Sequence, residues 1–192
     1  MVRHGFVAFV VAVIAMIASS GRASVVAALS LDELVGQSDV IAMGSIESLT
    51  VSRDARDRIV TDAVLRVERS WKGSSAPGST VTVRRLGGTI DGISMQVAGE
   101  PALQKGGRIL LFGRRSTQGS HLRPVGMAQG VLRVSLAADG AATVSPSNGG
   151  LSLVRRDQGG VLRPSAPAVA GPVALESMDV LLRDAVEATR GR

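Results

Sequence analysis

The chain has 192 residues, a formal net charge of +6 and no cysteine. That length suits one ordinary domain with its own hydrophobic core. The lack of cysteine excludes disulfides, thiolate chemistry and Cys-based zinc sites. Nearly all the positive charge is Arg and it is not gathered into blocks, so it bears on attraction for anionic partners rather than on fold.

The opening residues read as an export signal over 1–28. Arg3 supplies the charged start, Phe6 to Ala18 is an apolar run too short for a comfortable membrane span, and small residues follow at Ser19, Ser20, Gly21 and Ala23. Cleavage is expected between residues 20 and 28, after Ser20, Ala23 or Ala28. The alternative is an uncleaved N-terminal anchor, the one expected contact with a membrane. Removing 28 residues leaves Trp71 and Phe112 as the only aromatic side chains.

Residues 29–145 read as a β domain. Ser30-Leu31-Asp32-Glu33 is a capping box that opens a short helix through Leu34 and Val35, with Gly36 as its expected stop. Two long strands follow, Val40 to Val51 and Ile59 to Arg69, joined by the charged hairpin Arg53-Asp54-Ala55-Arg56-Asp57-Arg58. Gly44 inside the first strand marks a bulge or a sharp bend of a curling sheet. In the second strand Ala63, Leu65 and Val67 share the buried face, and the same parity puts Trp71 against the barrel end.

Turns at Lys72-Gly73 and Pro77-Gly78 lead to a strand over Thr80 to Leu86 with Val81 and Val83 inward. After Gly87-Gly88, Thr89 to Val97 carries its own turn at Asp91-Gly92. Arg108 to Gly113 is apolar on both parities and so is expected to be covered on both faces, by the barrel interior and by a helix. Leu122 to Gly126, Val131 to Leu136 and a weaker strand around Thr143 to Ser145 complete the sheet.

Residues 146–172, with SNGG, DQGG and PSAPAVAGP, have linker or loop composition. In the segment 173–192, Leu175, Met178, Leu182, Ala185 and Val186 share one face at helical spacing, which predicts an amphipathic helix docked on the barrel. Short strands, Gly-rich turns and no βαβ alternation give the expected fold class: mainly β, a partly open Greek-key barrel of OB-like type with a short N-terminal helix and a C-terminal amphipathic helix.

Two resemblances bear on this reading. Ser38-Asp39-Val40-Ile41-Ala42-Met43-Gly44-Ser45-Ile46, the charged hairpin, Val64-Leu65-Arg66-Val67 and Trp71-Lys72-Gly73 resemble the barrel of netrin-like modules, the group of tissue inhibitors of metalloproteases, over about Leu31 to Phe112. That resemblance implies an OB-type barrel. Ser30 to Leu34, Ser38-Asp39-Val40, Gly78 to Val83, Gly99-Glu100-Pro101, Leu110-Leu111-Phe112 and Val125 to Gly130 resemble uncharacterised exported bacterial domains, found also N-terminal to some secreted proteases of the matrixin type. It implies export without naming an activity. The netrin-like inhibitors chelate zinc through an N-terminal Cys, and this chain has none, so that mechanism does not carry over.

The residues that carry chemistry are sparse. Only His4 and His121 exist, too few for a His-based metal site. Asp54, Asp57 and Asp62 lack calcium-loop spacing and alternate with Arg, as in a self-neutralising hairpin tip. There is no Gly-x-Ser-x-Gly elbow and no phosphate loop. No catalytic residue, metal ligand or cofactor is therefore assigned.

Arg84, Arg85, Arg114 and Arg115 are the candidate surface for an anionic ligand. Nucleic acid is not the expected partner, because single-strand binders of this fold rely on aromatic stacking. The expectation is a non-enzymatic exported module, periplasmic or extracellular, that binds a protein or an anionic polymer. The alternatives are a protease-associated module, inhibitor or prosegment-like, and an enzyme using carboxylates such as Glu100 and Asp62.

Overall fold

The computed structural model describes residues 24–147 and 150–191. The expected export signal lies outside the described residues as far as position 23. In chain order the elements are β1 (Ser24–Ala27), α1 (Leu31–Gln37), β2 (Val40–Arg53), β3 (Ile59–Lys72), β4 (Thr80–Leu86), β5 (Gly88–Ile90), β6 (Ile93–Met95), β7 (Arg108–Arg115), β8 (Leu122–Pro124), a 3-10 turn (Met127–Gly130), β9 (Val131–Leu136), β10 (Ala142–Pro146), β11 (Leu151–Arg156), β12 (Leu162–Pro164), β13 (Val173–Ala174) and α2 (Leu175–Arg190).

The two long strands β2 and β3 pair antiparallel along their whole length and curl, so that β7-β2-β3-β4-β8 returns to β7 and closes a five-stranded barrel. The sequence pattern suggested a partly open barrel; the ring is closed. Closure falls to the three residues of β8, which lie parallel to β4 through Val83 and Leu122 and antiparallel to β7 through Arg115 and Leu122. Beyond the barrel, β9, β10 and β13 extend the sheet from the other half of β7.

Gly44 is where β2 bends. The register with β3 shifts between Met43 and Gly44, and a Cβ there would overlap the Arg66 carbonyl oxygen and stand 2.8 Å from its carbon. Only a residue without a side chain lets the two backbones approach so closely.

Two cores follow from the two faces of the central strands. Ala42, Ile46, Leu65, Val67, Val83, Ile109, Leu111 and Leu122 fill the barrel. On the outside of the same strands, Ile41, Met43, Leu110 and Phe112 pack against Leu34 and Val35 of α1 and Met178, Leu182 and Val186 of α2. β7 is thus buried on both faces, as its uninterrupted apolar run predicts. α1 opens on the Ser30/Glu33 capping box and runs past Gly36 to Gln37, its last carbonyls taken by Ser38 Oγ on Leu34 O (2.6 Å) and Lys72 Nζ on Val35 O (2.8 Å).

Trp71 does not close the barrel end. Register shifts in β3 opposite Ala42 and opposite Gly44 each add an unpaired residue and reverse the parity. The indole therefore joins the second core and donates from Nε1 to Asp179 Oδ1 on α2 at 2.8 Å.

The segment 146–172, loop-like by composition, carries the hairpin β11–β12, to which β1 adds a parallel strand. Its Asp157-Gln158-Gly159-Gly160 run is the hairpin turn: Asp157 N–H donates to Val161 O, and Asp157 Oδ1 accepts from Val161 N–H at 2.9 Å. Between this small sheet and the large one lies an apolar cavity of 260 Å³ bordered by Leu34, Leu132, Leu151, Leu153 and Val169. Among the described residues no helix is long and apolar enough to cross a membrane.

Candidate functional site

Barrel closure brings two connections far apart in sequence to the same mouth: the β2–β3 tip at 53–58 and the β7–β8 loop at 116–121. Together with the C-terminal end of β4 and with β8 they surround a cleft of 540 Å³ lined by Arg56, Arg58, Arg84, Arg85, His121 and Arg123, beside Asp54 and Gln118. Five guanidinium groups face the carboxylate of Asp54, with that of Asp62 behind Arg84.

Two of the five are neutralised in place. Asp62 lies directly across from Arg84 in the β3–β4 register and accepts from its Nε and Nη2, both at 2.6 Å, a bidentate bond that holds the Arg84 proton more tightly than usual. Asp54 accepts from Arg58 Nε at 2.9 Å and Nη2 at 2.7 Å and from the backbone N–H groups of Arg56 and Arg58. Those bonds, the Arg58 side chain first, pull its carboxyl down to about 2. The tip is thus self-neutralising in part, Arg53 pairing with Asp57 and Arg58 with Asp54.

Arg56, Arg85 and Arg123 have no ion-pair partner among the described residues. Arg85 Nη1 donates to Leu86 O at 3.1 Å, while its Nε is buried without an acceptor. His121 closes one side of the mouth. Burial, and after it the charge of Arg84, push its imidazole below its ordinary value, with Arg123 adding to the effect and Asp62 opposing it.

The four arginines singled out from the sequence do not make one surface. Arg84 and Arg85 line the mouth; Arg114 and Arg115 turn away from it. Arg114 donates from Nε to Gln37 O and from Nη2 to Gln37 Oε1 at the end of α1. The Arg115 backbone N–H donates to Asp39 Oδ2, and its Nη2 reaches Ser74 Oγ at 3.4 Å. Both serve to tie β7 to its neighbours.

Sequence reasoning missed Arg56, Arg123 and His121. The signal that would have found them is topological: in a barrel that closes through β8, the tip and the 116–121 loop must meet.

The carboxylates weighed for catalysis are apart. Asp62 is committed to Arg84, whereas Glu100 lines a different cleft, under the β5–β6 hairpin, that Asp62 does not reach. Burial pushes the Glu100 carboxyl up against the pull of the Leu86 N–H and of the Arg123 and Arg85 charges. In the mouth, Ser116 Oγ accepts from the Gln118 N–H, and no hydrogen bond joins it to the His121 ring. Among the described residues no cluster of His, Asp and Glu has the makings of a metal site.

No protein-family model, curated protein or solved structure matches this chain. The site's own chemistry therefore carries the functional reading.

Proposed function

We propose that this chain is an exported, non-enzymatic binding module whose barrel is of the OB type and takes an anionic ligand at its mouth. The OB-type reading, and with it the resemblance to netrin-like modules, is supported by the ring order. Numbered by chain order within the barrel, the strands run 1-2-3-5-4-1, with the third and fifth parallel. In that topology the first-to-second and fourth-to-fifth connections flank the usual ligand face, an analogy of fold that agrees here with the charge.

The single observation that carries the reading is the set of three guanidinium groups, Arg56, Arg85 and Arg123, left without carboxylate partners around one concave space. A cleft of one sign focuses the field and concentrates anions. Planar guanidinium forks match the oxygens of carboxylate, phosphate and sulfate groups. Export rests on the N-terminal residues alone.

Calorimetric titration with inorganic pyrophosphate and with galacturonate tests the reading, comparing the parent with an Arg56→Gln/Arg123→Gln double variant and with Arg190→Gln as a distant control. Saturable binding that weakens with salt, falls about tenfold or more in the double variant and is unchanged in the control is the expected result. Absence of binding, or binding indifferent to the double substitution, would refute it. Protease activity lost on adding the protein, with no anion bound, would favour the protease-associated alternative instead.

A further inference from the structure

Arg85 borders two clefts. One is the basic mouth; the other, of 550 Å³, lies under the β5–β6 hairpin and is lined by Thr89, Ser94, Gln96, Glu100 and the backbone around them. The chain turns sharply between them at Gly87 and Gly88, both at positive φ, where Thr61 Oγ1 donates to Gly87 O at 2.5 Å. This kink swings β5–β6 away from the barrel wall and leaves the second cleft continuous with the first at Arg85.

The two halves differ in chemistry. The mouth is cationic. The hairpin cleft offers hydroxyl, amide and carboxyl groups, its one cation being the shared Arg85: Thr89 Oγ1 donates to Ser94 Oγ at 3.1 Å, Gln96 is exposed, and Glu100 contributes acceptor oxygens. An anion with nothing more to it gains little there, while a hydroxyl-bearing unit finds donors and acceptors.

We infer that the ligand is an acidic oligosaccharide, with an anionic group held in the mouth and an adjoining sugar in the hairpin cleft, and Arg85 as the residue that touches both. This deepens the proposed function and rests on it. The buried Nε–H of Arg85 lacks an acceptor among the described residues. A ligand oxygen at the junction supplies one, which removes the cost of an unpaired buried donor. Nucleic acid is the poorer fit, since neither cleft is lined by an aromatic ring: Phe112 is fully buried in the second core and Trp71 packs against α2.

The test compares galacturonate with tetragalacturonate by calorimetry on the parent, on Gln96→Ala, which touches only the hairpin cleft, and on Arg123→Gln, which touches only the mouth. Gln96 is exposed and its removal leaves the cores intact. The expected result is that the tetramer binds about tenfold or more tightly than the monomer, that Gln96→Ala removes most of this advantage without changing monomer affinity, and that Arg123→Gln weakens both.

Equal affinity for the two sugars, or a tetramer indifferent to Gln96→Ala, overturns the extended site while an Arg123-dependent monomer keeps the mouth. No binding of either sugar, or binding indifferent to Arg123→Gln, overturns both. Oligothymidylate bound as tightly as tetragalacturonate overturns the choice of sugar.

Discussion

Replacing Gly44 by Ala tests the barrel at its tightest point. The added Cβ meets the carbonyl carbon of Arg66 at 2.8 Å and the Cα of Val67 at 3.2 Å, both backbone atoms of β3. The first is about 0.7 Å short of the closest comfortable carbon–carbon separation of ~3.5 Å. No side chain can rotate out of the way, so β2 and β3 must part. Overpacking of this kind costs about 1–3 kcal/mol, and stretching one or two neighbouring ladder hydrogen bonds adds about 1 kcal/mol each.

A total near 3 kcal/mol lowers the melting temperature of a domain this size by about 6–12 °C. The same chemical change at Gly36, where an added Cβ meets nothing within 4 Å in the exposed part of α1, is expected to raise stability by about 0.5–1 kcal/mol. Differential scanning calorimetry of the two variants reads both signs. A Gly44→Ala protein that melts within about 2 °C of the parent would refute the close approach and the corner built on it.

Asp179 accepts from Trp71 Nε1 (2.8 Å), Arg69 Nη1 (3.1 Å) and Arg183 Nη2 (3.0 Å), so Asp179→Ala leaves a packed indole N–H unpaired and is expected to cost about 1–3 kcal/mol in urea unfolding followed by the fluorescence of Trp71. Burial pushes the Asp179 carboxyl up, but the Trp71 bond and the two arginines outweigh it and leave it below its ordinary value. Its contribution is therefore present above the unfolded value of about 3.8 and fades as pH falls through the lower folded one, a dependence that Asp179→Asn should remove. His121 acts with the opposite sense. Its folded value lies below 6.5, the unfolded chain takes the proton first, and stability drops as pH falls from about 6.5 through the folded value; His121→Gln should flatten that stretch of a stability–pH profile. β1 pairs with β11 from Ser24 to Ala27, and Gln129 holds both Ala27 O and the Leu29 N–H. Cleavage after Ala28 would discard that strand, so N-terminal sequencing of exported protein is expected to begin at or before Ser24, and a form beginning at Leu29 is expected to melt lower.

Alternation in the sequence carried the barrel wall. Ala63, Leu65 and Val67 point inward because period-2 burial is local, and the apolar run of β7 revealed a strand covered on both faces. The capping box at Ser30 and the helical spacing of Met178, Leu182 and Val186 were equally local. What escaped depends on pairing at a distance. Nothing in Leu122-Arg123-Pro124 says that three residues close a ring between β4 and β7, so closure, and the meeting of Arg56 with Arg123, stayed hidden. Trp71 went to the wrong side because each bulge in β3 reverses parity, and the signal for a bulge opposite Gly44 lies on the other strand. Composition also hid the β11–β12 hairpin, whose glycines form its turn rather than a linker. Arg114 and Arg115 looked like Arg84 and Arg85 as sequence pairs; only the fold separates a guanidinium that caps α1 from one that faces a cleft.

Arginine side-chain NMR on the intact domain, following each Nε–H resonance while tetragalacturonate is added, tests the mouth as a binding site most directly. The account predicts that Arg56, Arg85 and Arg123 shift together with one dissociation constant while Arg69 and Arg155 stay still. A uniform drift of every arginine with added charge, or movement confined to Arg114 and Arg115, would contradict it.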